Sequence, residues 1–346
     1  MNRHHVRLRP QERVLTASPD ETLLDAALAA GLNLPHSCKS GHCSSCRARL
    51  LAGRVHYPRG RPTGISEQEA AEGFVLLCQA RAVSDVTIEG RAIDRAAEAV
   101  IKTLPCRIAR AERRAADVLA VFLRLPAVER LDFAPGQYLD VLIERGQRRS
   151  FSIASPPHDS GLIELHVRQV EGGRFTQRLF GADPTDTLLR IEGPLGQFVY
   201  HDEVAPALLI AGGTGYAPLK SMLRHALERG SSRPLSLYWG ARTAVDLYEE
   251  ELVLEWARRH TQLDFHAVLS AADRVTQPHQ RLGWVHEAVL ADHPSLAGHE
   301  VYVAGPPALI EAVRRTFPPH GLDPQRLHFD SFDYAPDASP VERLEP

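Results

Sequence analysis

The spacing of four cysteines constrains the N-terminal part of this chain more than any other feature of the sequence. Cys38, Cys43 and Cys46 are separated by four and two residues, and Cys78 follows alone, farther along the chain. A two-iron cluster needs two thiolates on each iron, and this is the ligand spacing of a plant-type [2Fe–2S] cluster. The sequence therefore predicts that Cys38, Cys43, Cys46 and Cys78 bind a [2Fe–2S] cluster.

The residues around the first three cysteines favour a loop over a helix. Small and loop-forming residues dominate positions 35–46, and Gly41 allows a close backbone approach that a side chain would prevent. A zinc site and a disulfide are the alternatives, but zinc ligands usually come as two short pairs, whereas Cys78 stands alone. The cluster is the favoured interpretation. His36 and His42 lie beside the ligands and could donate hydrogen bonds to sulfur, although solvated loop histidines are the favoured interpretation.

Composition narrows the possible partners and compartment. The chain has 346 residues, five cysteines and a net charge of −3, which is too small to indicate nucleic acid or a membrane surface as the main partner. It shows no charged-then-apolar signal at its N-terminus and no apolar run of about 18 residues or more. We therefore expect a cytoplasmic protein with no nucleic-acid and no membrane partner.

The hydrophobic pattern divides the chain into three domains. Residues 1–93 combine short strands and helices with the cysteine loop, which indicates a small α+β domain. Ser18 and Glu21 form a capping-box sequence for a helix that Gly31 is expected to end. The other predicted elements are strands at 6–9, 13–17, 47–51, 74–78 and 86–89 and a short helix at 66–72. Residues 94–103 are predicted to be a linker.

Two different patterns follow the linker. Residues 104–203 contain six strand-like runs separated by Pro and Gly turns, with one short helix at 175–180, which predicts a closed antiparallel β-barrel. In residues 204–332 strands alternate with helices, as in a parallel, helix-covered sheet of α/β type. Residues 333–346 are predicted to be a disordered tail. Cys106, the fifth cysteine, matches no motif and is expected to be a small core residue.

A glycine-rich turn lies between a buried strand and a helix in the third domain. Gly212, Gly213, Thr214 and Gly215 follow the apolar run 208–211, and Pro218 suits the first helical turn. Backbone N–H groups and the helix dipole at such a turn can hold a pyrophosphate. Many glycine turns only relieve backbone strain, so this motif gains meaning from the motifs around it.

Three further motifs occur in a fixed order with that turn: Arg149-Ser150-Phe151-Ser152, Gly172-Gly173-Arg174-Phe175-Thr176 and Ala304-Gly305-Pro306-Pro307. The ordered set resembles the ferredoxin–NADP⁺ reductase superfamily, and residues 1–93 resemble its plant-type ferredoxin partner. The arrangement is similar to the reductase components of bacterial oxygenases and, more closely, to the CDP-6-deoxy-Δ3,4-glucoseen reductases. The closer similarity rests on the N-terminal position of the ferredoxin domain and on residues 238–242, 246–248 and 330–332. The resemblance implies FAD, NAD(P)H and a [2Fe–2S] cluster as cofactors.

The resemblance also implies roles for individual residues. Arg149, Gly172, Gly173 and Thr176 would bind the FAD pyrophosphate, and Phe151 and Ser152 would stack on and hydrogen-bond to the flavin. The catalytic centre would comprise Ser152, Phe151 and Thr214. The nicotinamide dinucleotide would be held by Gly212, Gly213, Thr214, Gly215, Pro218, Arg242, Gly305 and Pro306. Taken singly, Arg149 could be a surface ion-pair residue and Phe151 a core aromatic.

Two positions depart from the family pattern. Phe151 stands where the family usually has tyrosine, and Ala304 stands where it has cysteine. Ala304 also occurs in NAD(P)H:flavin oxidoreductases, so it bears on the electron acceptor. Arg242 could accept a 2′-phosphate, whereas the family favours NADH slightly; Asp246 is expected to cap the helix at 247–258.

The resemblance implies an NAD(P)H-dependent electron-transfer oxidoreductase. Electrons would pass from NAD(P)H through FAD and the cluster to a protein partner, a CDP-sugar dehydrase or an oxygenase component. Two alternatives are a reductase of free flavin or ferric chelates and an iron-sulfur redox sensor. The complete nicotinamide motif set argues against the sensor, because sensing needs no steady supply of hydride.

Overall fold

The computed structural model describes residues 3–32, 34, 36, 39, 41, 46–62, 64–89, 100–143, 147–159, 161–181 and 183–332. Cys38, Cys43, His42 and the predicted tail lie outside these described residues. The chain forms two compact units, residues 1–98 and 99–346. The boundaries predicted for the linker and for the two later domains stay predictions.

The N-terminal unit is a small α+β fold. Its strands are β1 (His4–Arg9), β2 (Arg13–Ala17), β3 (Arg47–Ala52), β4 (Val55–His56), β5 (Phe74–Leu76), β6 (Arg81–Ala82) and β7 (Val86–Glu89), and its helices are α1 (Leu23–Ala29) and α2 (Glu67–Ala71). Five strands form one sheet in the order β2-β1-β7-β3-β5, with β1 parallel to β7. Strands β4 and β6 pair separately. Helix α1 buries its apolar side chains in the core that this sheet provides.

The start of α1 differs from the prediction. Ser18 and Glu21 hydrogen-bond to each other in a turn, and the helix begins at Leu23, with the Thr22 side chain accepting a hydrogen bond from the Asp25 amide. The capping sequence thus closes the turn that precedes the helix. Gly31 ends the helix as predicted, with φ of 73°, a conformation that glycine adopts without strain.

The first half of the C-terminal unit is the predicted antiparallel barrel. It comprises β8 (Lys102–Ala115), β9 (Val118–Arg124), β10 (Tyr138–Leu142), β11 (Arg148–Ser152), β12 (Ile163–Arg168) and β13 (Leu188–Leu195), with helix α3 (Arg174–Gly181). The strand order is β11-β10-β13-β8-β9-β12, and an antiparallel bridge between Ile153 and Leu165 joins the two edges. Strand β8 begins at Lys102, two residues inside the predicted linker, because it pairs with Gly193 of β13.

The second half is a parallel sheet with helices on both faces. Its strands are β14 (Ala207–Gly212), β15 (Leu235–Ala241), β16 (Leu263–Leu269), β17 (Gln280–Leu282), β18 (Glu300–Gly305) and β19 (Leu327–Ser331), and its helices are α4 (Tyr216–Glu228), α5 (Glu250–Arg259), α6 (Val285–Asp292) and α7 (Pro307–Thr316). The order is β17-β16-β15-β14-β18-β19. The pattern analysis missed the edge strands β17 and β19, because one is three residues long and the other mixes polar with apolar residues.

Helix α5 begins three residues later than predicted. Residues 244–246 form a short 3₁₀ turn, and the Asp246 carboxylate accepts hydrogen bonds from the Thr243 amide and hydroxyl. Asp246 therefore closes this turn instead of capping the helix, which starts at Glu250. The three-domain fold class itself is confirmed.

Candidate functional site

Cys46 and Cys78 are buried next to each other in the chain's N-terminal unit. Both cysteines are no more than 5% exposed, and the Leu77 amide donates to the Cys46 carbonyl oxygen at 3.1 Å. Burial raises the pKa of the Tyr57 phenol, the hydrogen bond from the Leu76 amide opposes that rise, and charge on both sulfurs adds to it. The Tyr57 phenol therefore lies near both sulfurs.

The described residues of the cysteine loop are held by backbone contacts. A Cβ on Gly41, whose φ is 88°, would come within 2.8 Å of Pro62 and 2.9 Å of Gln79. The Gly64 amide donates to the Gly41 carbonyl oxygen, and the Gln79 amide group donates to the Lys39 carbonyl oxygen. Gly41 is therefore required by close packing beside Cys78, which fits a loop wrapped around an inorganic cluster.

His36 differs from the expectation of a solvated loop histidine. It is 1% exposed, and its Nδ1 lies 2.7 Å from the Leu34 carbonyl oxygen. The ring is therefore buried instead of solvated. Its neighbour His42 lies outside the described residues.

Strand β11 and the start of α3 meet at an aromatic pair. The rings of Phe151 and Phe175 lie 5.8 Å apart between centroids, tilted by 43°. Arg149 is half-buried on the same strand, and its guanidinium donates to the Arg148 carbonyl oxygen at 2.8 Å. The tertiary fold thus brings together the two motifs that the sequence assigned to FAD.

The turn before α3 is compact. Gly172 has φ of 74°, and a Cβ on Gly173 would lie 2.8 Å from the Thr176 hydroxyl. That hydroxyl donates to the Gly173 carbonyl oxygen at 3.0 Å and accepts from the Val170 amide at 3.2 Å. Thr176 therefore shapes the turn, and the backbone N–H groups of the helix start are the donors that an anion would meet.

Ser152 has a partner that the motif analysis did not identify. Its hydroxyl donates to the Asp330 carboxylate at 3.4 Å, and the two residues are 8% and 4% exposed. Asp330 lies on the edge strand β19, which the pattern analysis missed. The hydrogen bond joins the barrel to the parallel sheet at the residue assigned to hydride transfer.

The glycine loop and the 304–306 segment touch each other through their backbones. A Cβ on Gly215 would lie 1.9 Å from the Ala304 carbonyl oxygen, and one on Gly212 would lie 2.7 Å from Pro306. Gly305 has φ of 157° and accepts a hydrogen bond from the Phe332 amide. Two motifs far apart in sequence thus form one cradle at the carboxyl ends of β14 and β18, where ligands bind in parallel sheets.

Buried aromatic residues pack against the cradle and hydrogen-bond to it. Tyr216 and Trp239 stack at 3.9 Å, and the Trp239 indole N–H donates to the Gly213 carbonyl oxygen at 3.0 Å. Pro218 is buried in the first turn of α4. Arg242 is exposed just after β15, at the same edge of the sheet. The structure thus brings most of the predicted dinucleotide residues to one edge.

An arginine from the barrel also reaches this cradle. A guanidinium nitrogen of Arg168 lies 3.4 Å from the position of a Cβ on Gly213, and its Nε lies 3.2 Å from the Asp117 carboxylate. Arg168 is the last residue of β12 and belongs to no motif. Only the tertiary fold places this positive charge beside the glycine loop.

Three parts of the chain match known domain families. Residues 6–83 match the 2Fe-2S iron-sulfur cluster binding domain, residues 105–200 the oxidoreductase FAD-binding domain, and residues 209–315 the oxidoreductase NAD-binding domain. A CDP-6-deoxy-L-threo-D-glycero-4-hexulose-3-dehydrase reductase of Yersinia pestis is 36% identical, with 95% of this chain and 98% of the relative covered. The chain belongs to the family of iron-sulfur flavoprotein reductases.

Other relatives support the same assignment of this reductase. The terephthalate 1,2-dioxygenase reductase component 1 of Comamonas sp. is 34% identical over 97% of this chain and 99% of its own. The crystal structure of the Amycolatopsis cytochrome P450 reductase GcoB has a TM-score of 0.78 and 34% identity, covering 95% of this chain and 98% of that one. The reductase is an NAD(P)H-dependent electron-transfer oxidoreductase whose cofactors are a [2Fe–2S] cluster, FAD and NAD(P)H.

The described residues fit these groups. Two buried cysteines beside a glycine that packs without a side chain suit a cluster, and glycine turns at the starts of α3 and α4 offer backbone N–H groups to bound phosphates. In the described part of the reductase, no helix has both the length and the apolar character needed to cross a bilayer.

Proposed function

We propose that this reductase passes electrons from NAD(P)H, through FAD and the cluster bound by Cys38, Cys43, Cys46 and Cys78, to a separate protein in the cytoplasm. The acceptor is a CDP-sugar dehydrase or an oxygenase component. One observation carries the proposal: all three redox domains lie in one chain that aligns over nearly its whole length with reductases of both kinds.

The three domains together allow a two-electron donor to reduce a one-electron acceptor. A nicotinamide gives two electrons as hydride, a cluster takes one at a time, and the flavin supplies the conversion between them. The residues of this chain position the reactants: the cradle of Gly212, Gly213, Thr214 and Gly215 holds the dinucleotide, and the Gly305-Pro306 turn lines its nicotinamide half. Arg149, Gly172, Gly173 and Thr176 shape the site for the FAD pyrophosphate.

We place Ser152, Phe151 and Thr214 where hydride passes. Phe151 offers a ring face for stacking, and Ser152 offers a hydroxyl whose orientation Asp330 fixes. Pro218 starts the helix that follows the cradle, and Arg242 lies at the adenosine side. Asp246 is held by Thr243 in a turn, so Arg242 is the charged residue most available to decide between NADH and NADPH.

Ala304 supports a second candidate function. It is fully buried against Gly215 at a position where the superfamily carries a thiol. The same alanine occurs in flavin reductases, so free flavin or ferric chelate could be the acceptor. An iron-sulfur sensor is the least supported candidate, because the dinucleotide cradle is complete.

Turnover with different acceptors tests these functions. The reconstituted reductase is mixed with NADH or NADPH and with an oxygenase component, a CDP-sugar dehydrase, free FMN or ferric citrate, and oxidation of the nicotinamide is followed at steady state. We expect stimulation by a protein acceptor. Stimulation by FMN or ferric citrate alone would favour the second function, and absence of turnover with every acceptor would leave the sensor.

Replacing Ser152 with alanine is expected to slow reduction of the flavin by NADH about 100-fold, because a positioned hydroxyl is lost whose oxygen can accept a hydrogen bond while its proton is donated to Asp330. Asp330→Asn is expected to have a smaller effect in the same direction, since Asp330 acts through Ser152. The rate is measured by anaerobic stopped-flow absorbance. Ser150→Ala is the matched control, because Ser150 lies on the same strand but bonds to Asp140. Equal rates in all three variants would contradict the role of Ser152.

Replacing Arg168 with glutamine is expected to raise the KM for NADH about 10- to 100-fold, as loss of a charged hydrogen bond to a phosphate predicts, with little change in kcat. Steady-state kinetics with ferricyanide as acceptor measure both constants. Arg124→Gln is the control, because Arg124 is exposed at the end of β9. An unchanged KM would show that Arg168 serves only its ion pair with Asp117.

A further inference from the structure

Strand β12 of the barrel has one apolar and one polar face, and both are buried. Its sequence alternates, so that Ile163, Leu165 and Val167 enter the barrel core. Glu164 and His166 point the other way and are still only 4% and 6% exposed. An alternating strand usually leaves its polar face in water. Here the second half of the same unit covers that face.

A buried lysine from the dinucleotide domain pairs with this polar face. The Nζ of Lys220, on α4, donates to the Glu164 carboxylate at 2.8 Å and to the Glu249 carboxylate at 2.9 Å. Lys220 and Glu249 are 4% and 7% exposed. Each of the two carboxylates lies in a different half of the unit, so the ammonium joins the barrel to the parallel-sheet domain.

His166 extends the network. Its Nε2 lies 3.2 Å from the Glu164 carboxylate, and its Nδ1 lies 2.9 Å from the Tyr248 hydroxyl. Burial alone would raise the pKa of Glu164, but the His166 hydrogen bond and the Lys220 charge lower it to about 2. Glu164 is therefore ionised at neutral pH, and the network is a true ionic contact across the two halves.

The donor atoms of Glu164, His166 and Glu249 lie within 4.8 Å of one another, a grouping that could hold a metal ion. The Lys220 ammonium already contacts both carboxylates. The Lys220 ammonium thus neutralises the carboxylates that a metal ion would otherwise bind, and the grouping is explained as an ion-pair network.

Stability alone does not explain these buried charges. Ions removed from water are costly, and well-packed apolar residues of similar volume are often as stable as a buried ion pair. Buried charges add geometric specificity instead, because each is stabilised only by a partner of opposite sign at hydrogen-bonding distance. A network of this kind suits a contact whose geometry must be fixed.

The network lies one helical turn from the dinucleotide cradle. Helix α4 begins at Tyr216, directly after Gly215, and Lys220 is four residues farther on. The Tyr216 ring stacks on Trp239, which holds the Gly213 carbonyl oxygen, and faces the His166 ring at 6.0 Å. A shift of Lys220 relative to β12 would therefore move the cradle relative to the barrel.

We propose that Glu164, His166, Lys220 and Glu249 form a positioning network that fixes the dinucleotide cradle against the barrel and so sets the geometry of hydride transfer. The inference rests on the proposed function of the two domains as NAD(P)H and FAD sites. None of the four residues touches the reacting atoms in this proposal; they act through α4 and β12.

The test uses the full-length reductase loaded with FAD and cluster. In the double variant Lys220→Met/Glu164→Gln, both sides of the contact become neutral at similar size, and Glu249 keeps Arg114 as a partner at 3.3 Å. Lys220→Arg keeps the charge. The control is Arg281→Met, which removes a half-buried pair with Asp292 inside the dinucleotide domain, on elements away from the barrel.

Two quantities are measured anaerobically: the rate of flavin bleaching at saturating NADH, and the long-wavelength absorbance that a nicotinamide produces when stacked on a flavin. In the double variant we expect the bleaching rate to fall about tenfold or more, as small misplacements of reactants produce, and that absorbance to weaken. The Kd for NAD⁺ and the flavin content of the double variant should stay near wild type. The Lys220→Arg variant, which keeps the positive charge, should have a bleaching rate near that of the wild type.

A wild-type bleaching rate and absorbance in the double variant would overturn the proposal, as would an equal loss in Arg281→Met. A loss of rate that follows only loss of bound flavin would also overturn it, because the role would then be structural. Failure of the proposed function is separate: the wild-type flavin itself would not be bleached by NADH.

Discussion

Replacing Cys78 with serine is expected to lower electron transfer to a protein acceptor by more than about 100-fold. Loss of a residue that only orients a metal ligand already lowers activity, and Cys78 is proposed to be a ligand itself, so its loss should cost more. The hydroxyl is a poor ligand for an iron-sulfur cluster, which selects soft thiolates. Reduction of ferricyanide by NADH should persist, since the flavin can pass electrons to it directly. Iron and acid-labile sulfide should fall together, and the visible absorbance of the cluster should disappear.

Cys106 provides the matched control for this change. It lies in the barrel core, 3% exposed, and burial raises the pKa of its thiol to about 12. It is therefore neutral at physiological pH and confirmed as a small core residue. Cys106→Ser should keep iron, sulfide and acceptor turnover. Full cluster content in Cys78→Ser, or equal loss in Cys106→Ser, would contradict the ligand assignment.

Replacing Gly215 with alanine is expected to abolish flavin reduction by NADH and to lower the free energy of unfolding by about 3 kcal/mol or more, the upper range for overpacking. The added Cβ would lie 1.9 Å from the Ala304 carbonyl oxygen and 2.4 Å from the Ala304 carbonyl carbon. Backbone cannot rotate away as a side chain can, so the loop or β18 must shift, and either shift opens the cradle.

The control is Gly181→Ala at the end of α3, where a Cβ meets nothing within 4 Å. Alanine is favoured over glycine in a helix by roughly 0.5–1 kcal/mol, so this variant should be as stable as wild type or slightly more so. Stability is measured by urea unfolding, and flavin reduction by stopped flow. A Gly215→Ala protein with wild-type stability and NADH affinity would refute the contact between the two loops.

Much of the fold could be predicted because its signals are local. The cysteine spacing, the change from strand runs to strand–helix alternation and the glycine turn each depend on residues close in sequence. Gly31 and Gly41 illustrate this, since both have a positive φ, which glycine adopts without a steric penalty. The pattern failed at the start of α1 and at β17 and β19, where capping residues also form turns and edge strands are short or polar.

The sequence identified the site residues that belong to motifs. It did not identify the residues that reach the site only through tertiary contacts. No role was predicted from the sequence for Asp330, Arg168 or the Lys220 network, yet each contacts a motif residue or the face beside one. Glu164 and His166 are the clearest case. Their alternation predicts a solvent-facing strand surface, and only the neighbouring domain turns that surface into a buried one.

The sequence alone determined which chemistry this chain carries, because ligand spacing and glycine turns are fixed by the backbone within a few residues. The tertiary structure decided how the parts meet: which carboxylate orients Ser152, which arginine faces the glycine loop, and why a lysine is buried between two halves of one unit. Those contacts join residues far apart in the chain, so their charges and hydrogen bonds become defined only when the strands and helices have packed.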